Sequence, residues 1–134
     1  MSKKLSVLAI ITARLNSKRL KQKNIKLFFG KPLIYWTIMN AKKSKYIDEI
    51  LLSTESKKIA KIASKYGCKD YFLRPKYLSR DNVEAYTVAL HAYKKINKRF
   101  DYIILLQPTS PLRTNYHIDT SIKLLIKKRR STLI

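Results

Sequence analysis

Glycine and cysteine are scarce in this chain: Gly30, Gly67 and Cys68 are the whole supply in 134 residues. A single cysteine excludes an intrachain disulfide and any cysteine-based metal cluster, and it fits a reducing, cytoplasmic setting. With so little glycine, neither of the two common glycine-dependent phosphate loops is present: G-x-x-x-x-G-K-[ST] and G-x-G-x-x-G do not occur. Acidic residues are also few, 8 Asp and Glu against 30 Lys and Arg, for a formal charge of +22. Such a field attracts anions, including nucleotides, nucleic acid and anionic membrane. The basic residues are scattered and mostly Lys, which argues for nucleic acid less strongly than one dense stripe would. No run of roughly 18 apolar residues occurs, so no membrane span is expected. Met1-Ser2-Lys3-Lys4 leads into a short apolar run that meets Arg14 without a small-residue cleavage site. That pattern reads as a first core strand and not as a signal peptide.

With 46% hydrophobic residues, the chain can bury a core as one domain spanning residues 1–134, and disorder is not expected. Apolar runs alternate with segments of helical period. Leu5–Thr12, Glu49–Ser53, Asp70–Leu73 and Tyr102–Leu106 read as strands, the last continuously apolar, as in a strand covered on both faces. Lys31–Lys42 reads as a helix, with Trp36 part of its packing. The next helix carries Ile59, Ile62, Ala63 and Tyr66 at i, i+3, i+4 and i+7. Ser53 or Thr54 is placed to cap it, with Glu55 in its first turn, and Gly67 stands where a left-handed helix end belongs. Further helices are expected from Asn82 to about Asn97, with Asp81 as cap, and over Asn115–Lys127, whose basic end through Arg130 reads as solvated. Four βα repeats with short loops predict a Rossmann-like, three-layer αβα fold with a mostly parallel sheet. Ligands of such sheets sit beyond the carboxyl ends of the strands.

The twelve residues Ala13–Asn24 follow the first strand and carry five cations, two Asn and one Ser, with no acid. Cations and backbone amides at a strand end suit a polyphosphate; on composition alone a solvated basic loop fits equally. Arg74 precedes Pro75, which favours an extended backbone and aims the side chain outward from the strand end. Pro108 and Pro111 make a rigid turn that holds Gln107 as a buried amide, and Arg113 either contacts an anion or braces that turn. His91 and His117 have no partner pattern and read as structural.

The order of these residues resembles one family. Arg14, Ser17, Lys18, Lys23 and Asn24 fall on the A-R-x-x-S-K-x-x-x-x-K-N signature of the CMP-sialic acid synthetases (acylneuraminate cytidylyltransferases). Leu73-Arg74-Pro75 with Leu78 and Asp81 is similar to their L-R-P-x-x-L-x-x-D segment. Leu105–Arg113 matches their L-L-Q-P-T-S-P-L-R segment throughout. The resemblance runs from about Leu5 to about Leu125, and because family members are longer, the chain looks like their first part, an incomplete fold of the nucleotide-diphospho-sugar transferase type. It implies a cytidylyltransferase that activates a nonulosonic (sialic-type) acid with CTP, releasing pyrophosphate. Nucleotide contacts would fall on Arg14, Asn16, Ser17, Lys18, Lys23, Asn24, Arg74 and Asn82, and a sugar contact on Gln107. Lys23 at the α-phosphate and Arg14 at the terminal phosphates would be the catalytic cations. The family's Mg²⁺ ligands, sugar-binding arginines and dimerisation segment would lie beyond Ile134, with a homodimer implied for the longer form. The chain departs from the family where Leu15-Asn16 replace two glycines and where Asn82-Val83-Glu84-Ala85 replace small hydroxyl residues. A non-catalytic nucleotide-binding remnant and a basic nucleic-acid-binding module are the alternatives.

Overall fold

The computed structural model describes residues 5–15, 22–80, 83–108 and 113–128. Four parallel strands form the main sheet: β1 (Val7–Thr12), β4 (Glu49–Thr54), β5 (Tyr71–Leu73) and β6 (Tyr102–Leu106), in the order β5-β4-β1-β6. β1 is central, with Ile10 paired to Leu51 on one side and to Leu105 on the other. Its alternating side chains divide the core. Val7, Ala9 and Ile11 pack with α1 (Leu33–Lys43), α2 (Lys57–Lys65) and α4 (Asn115–Lys128), whereas Leu8 and Ile10 pack with α3 (Ala85–Ile96). A strand buried on both faces with period-2 side chains accounts for the three αβα layers. The chain steps from β1 to β4 to β5, then crosses to the far side of β1 to enter β6. That reversal opens a crevice beside the end of β1.

Several local expectations are corrected. Lys31 does not begin a helix: β2 (Leu27–Phe28) and β3 (Lys31–Pro32) form a small antiparallel hairpin before α1 starts at Leu33. Pro32 holds Lys31 extended, and Phe29 and Gly30 make the turn with positive φ. Trp36 packs within α1, and its Nε1 donates to the Phe28 carbonyl at 2.9 Å. The cap of α2 is Ser56, whose Oγ accepts from the Ile59 N–H at 3.2 Å; Ser53 and Thr54 remain in β4, and Glu55 precedes the cap. Hydrogen bonding to β1 and β5 carries β4 one residue further than the apolar run. Gly67 takes φ +94° as anticipated. The Gly67 N–H donates to the Ser64 carbonyl and the Cys68 N–H to the Ala63 carbonyl, closing a Schellman end that buries Cys68. α3 begins at Ala85 with Glu84 at its cap position, so Asp81 is not the cap; Asp81 and Asn82 lie outside the described residues. β6 is an edge strand among the described residues, with Ile103 38% exposed, so it is not covered on both faces. His117 Nδ1 accepts from the Thr114 N–H at the start of α4. Asp119 in α4 accepts from Ser44 Oγ and from the Lys45 N–H, tying α4 to the end of α1.

Candidate functional site

The segments after β1, β5 and β6 converge on one cleft with a cavity of about 160 Å³. Arg14, Lys23 and Asn24 come from the β1 segment, Arg74 and Arg80 from the β5 segment, and Gln107 from the end of β6. No carboxylate lines it among the described residues. Leu78, Val83, Ala85 and Val88 form an apolar wall. Four cations against an apolar wall can hold an anion joined to a flat, weakly polar group.

The β1 segment is tied at its neck. The Ala13 N–H donates to the Ser53 carbonyl at 3.0 Å, the Gln22 N–H to the Leu15 carbonyl at 2.6 Å, and the Leu15 N–H to Glu55 Oε1 at 2.9 Å. Gln22 adopts φ 56°, which turns the chain into the short 3₁₀ helix Lys23–Ile25. Asn24 is 3% exposed, and its Nδ2 donates to the Arg14 carbonyl at 2.7 Å. Its amide therefore holds the backbone on which Arg14 is carried. Arg14 Nη1 in turn donates to the Ser79 carbonyl at 3.1 Å, joining the β1 and β5 segments.

Arg74 is not aimed outward. It is 5% exposed and lies in the floor of the cleft, with Nη1 donating to the Leu78 carbonyl at 3.5 Å. Pro75 fixes the extended backbone, but the turn Lys76–Leu78 folds back over the side chain. Nε and Nη2 are buried without a hydrogen-bond partner. Burial pulls the guanidinium pKa below its ordinary value; nearby Glu55 opposes that shift, and Arg14 adds to it. The group stays protonated at neutral pH, so a buried cation beside the cleft keeps two nitrogen donors unsatisfied.

Gln107 is exposed and not a buried amide, because it is the first residue beyond an edge strand; Pro108 after it is fully buried. Arg113 Nη2 donates to the Gln107 carbonyl at 3.3 Å, tying the residues before α4 to the end of β6. Asn16, Ser17, Lys18 and Asn82 lie outside the described residues, as does Pro111. Sequence reasoning gave no role to Arg80, Val83 or Val88 in the cleft. The signal available was position: Arg80 follows Arg74 by six residues in the same segment, and Val88 falls in the helix that follows it. His91 lies near Arg74, and burial, helped by Lys95 and Arg74, lowers its pKa and keeps it neutral at pH 7.

Among the described residues no three His, Cys, Asp or Glu side chains converge. With no carboxylate among the described residues of the cleft wall either, those residues do not fit a divalent-metal site. A second cavity, about 290 Å³, lies between the β2–β3 hairpin and α1, lined by Phe28, Phe29, Tyr35 and Trp36. It is larger but more apolar, and none of the three motif strands ends in it.

A parallel sheet with helices on both faces, and a cationic cleft where the strand order reverses, defines an α/β protein with its cleft where open sheets of this class take ligands. Comparison with known proteins makes the class specific. Residues 8–133 match the family model described as Cytidylyltransferase, and the chain belongs to that family. It is 44% identical over 110 residues to the CMP-N,N'-diacetyllegionaminic acid synthase of Legionella pneumophila, covering 80% of this chain and 47% of that protein. It is 42% identical over 108 residues to the pseudaminic acid cytidylyltransferase of Campylobacter jejuni, covering 78% and 47%. With the N-acylneuraminate cytidylyltransferase of Escherichia coli it shares 37% over 118 residues, covering 88% and 28%. The chain thus spans about half the length, or less, of these relatives. Its fold is similar to that of a CMP:2-keto-3-deoxy-manno-octonic acid synthetase solved with CTP, at a TM-score of 0.80 and 18% identity over 92% of this chain and 48% of that one. No helix among the described residues is long and apolar enough to cross a membrane.

Proposed function

We propose that the chain is the nucleotide-binding part of a cytidylyltransferase that joins CTP to a nonulosonic acid, giving the CMP-sugar and pyrophosphate. The observation that carries this reading is Arg74, a buried cation that lines the cleft and has two guanidinium nitrogens without a hydrogen-bond partner. The O2 and N3 edge of cytosine offers two acceptors to such donors, whereas uracil presents an N–H at N3. The names of the relatives supply the reaction and the class of acceptor sugar.

In the reaction a sugar hydroxyl attacks the α-phosphorus as the bond to pyrophosphate breaks, and negative charge grows on the oxygens around it. Lys23 and Arg14, carried on the same tied segment, offset that charge. Asn16, Ser17, Lys18 and Asn82 are assigned to the nucleotide on motif order alone, and Gln107 to the acceptor sugar. The divalent cation of such chemistry, Mg²⁺ by the family resemblance, would offset phosphate charge and would be held by residues other than those described. Assembly as a homodimer in a longer form and a cytoplasmic setting, which the reduced Cys68 fits, belong to the same proposal.

Calorimetric titration of the chain with CTP, UTP, ATP and GTP tests it. CTP is expected to bind most tightly, at least about tenfold over UTP, since the hydrogen bond from a charged donor to N3 is open to cytosine and closed to uracil. Equal affinity for all four nucleotides would leave only a charge effect and overturn the reading.

A further inference from the structure

Behind the cleft lies Glu55, whose charge is felt by the buried Arg74. Glu55 stands between the end of β4 and the Ser56 cap of α2, a place set by two rigid elements. Its Oε1 accepts from the Leu15 N–H at 2.9 Å and from the Thr54 hydroxyl at 3.4 Å. Thr54 is fully buried, and its Oγ1 accepts from the Ser56 N–H, so the carboxylate is held from beneath. Leu15 is gripped from its other side too, because its carbonyl accepts from the Gln22 N–H. That same Arg14–Leu15 peptide is held on its carbonyl side by Asn24, whose Nδ2 donates to the Arg14 carbonyl. Glu55 is also the opposite charge that favours the buried Arg74 cation.

Simple electrostatics makes an acid here a handicap. A negative charge close to an anion site weakens anion binding, so its removal ought to tighten it. The geometry suggests the opposite balance. We propose that Glu55 is a positioning residue which, by fixing the Leu15 peptide, holds Arg14 and Lys23 in place for a phosphate chain, so that its loss weakens anion binding. It touches no phosphate itself. The inference rests on the reading of the cleft as a phosphate site only for its affinity arm.

Two measurements on the full chain test it, with inorganic tripolyphosphate as the anion probe. The first is hydrogen exchange of the Leu15 amide, followed by NMR without any ligand. The second is tripolyphosphate affinity by calorimetry at fixed salt. Glu55→Gln keeps an acceptor oxygen and loses the charge; Leu15 should stay protected and affinity should stay within about threefold of wild type. Glu55→Ala loses both; Leu15 should exchange faster and affinity should fall about tenfold or more, against the direction of the charge change. Glu55→Asp keeps the charge but is one methylene too short; it should behave like the Ala variant, and it carries the test if the Ala variant fails to fold. Unchanged Leu15 exchange in the Ala or Asp variant, or equal or tighter tripolyphosphate binding by Glu55→Ala, overturns the proposal. Loss of CTP preference with Leu15 exchange behaving as expected would count against the cytidylyl reading and leave the role of Glu55 standing.

Discussion

A guanidinium that is 5% exposed with two idle donors is a cost to the folded chain. Desolvating a cation without full hydrogen bonding is unfavourable, and apolar replacements at such places are often neutral or stabilising. Arg74→Met is therefore expected to raise the unfolding free energy of the ligand-free chain by roughly 1–4 kcal/mol or leave it unchanged. The same substitution should abolish the preference for CTP over UTP. Urea denaturation beside nucleotide titration checks both halves, and a marked loss of stability would show that Arg74 is a structural brace. The presence of Arg74 at the site was legible from the L-R-P segment, since Pro75 fixes the backbone before it. The direction of its side chain was not, because the fold-back of Lys76–Leu78 is set by packing of Leu78, which a single proline does not reveal.

At the scale of elements, strand and helix existence was readable from periodicity, and every strand of the main sheet falls within two residues of its anticipated bounds. The exceptions are places where neighbours decide. Ser53, Thr54 and Ser56 all have cap chemistry, and pairing of β4 with both β1 and β5 leaves only Ser56 free to cap α2. The β2–β3 hairpin escaped notice because two-residue strands carry no period. Caps lend themselves to a paired test. Ser56→Ala should cost about 1 kcal/mol through loss of the bond to the Ile59 N–H. Ser53→Ala should cost nothing or stabilise slightly, because the Ser53 hydroxyl is buried without a partner. Denaturant midpoints of the two variants separate these outcomes, and reversed ranking would return the cap to Ser53.

For the molecule as a whole, +22 guarantees attraction to any polyanion, and the question is which attraction survives salt. DNA held by counterion release should lose about a thousandfold or more in affinity between roughly 50 and 200 mM salt if six or more phosphates are contacted. CTP, held in the cleft by directed hydrogen bonds as well as charge, should lose far less over the same range. Filter binding and calorimetry across a salt series measure both, and tight DNA binding at the upper salt with CTP binding lost would favour a nucleic-acid module. Convergence of the three motif segments was predictable from topology, because parallel strands deliver their carboxyl ends to one side of the sheet. One buried atom adds a practical consequence. Cys68 is the sole thiol, sealed under the end of α2, and burial, with Asp70 adding and Lys42 opposing, pushes its pKa up to about 11. Thiol reagents attack thiolate, so the native chain is nearly invisible to them near neutral pH. The rate at which this sulfur takes up label is then a clock for the opening of the α2–β5 corner, and the chain carries its own reporter of folding with no engineering at all.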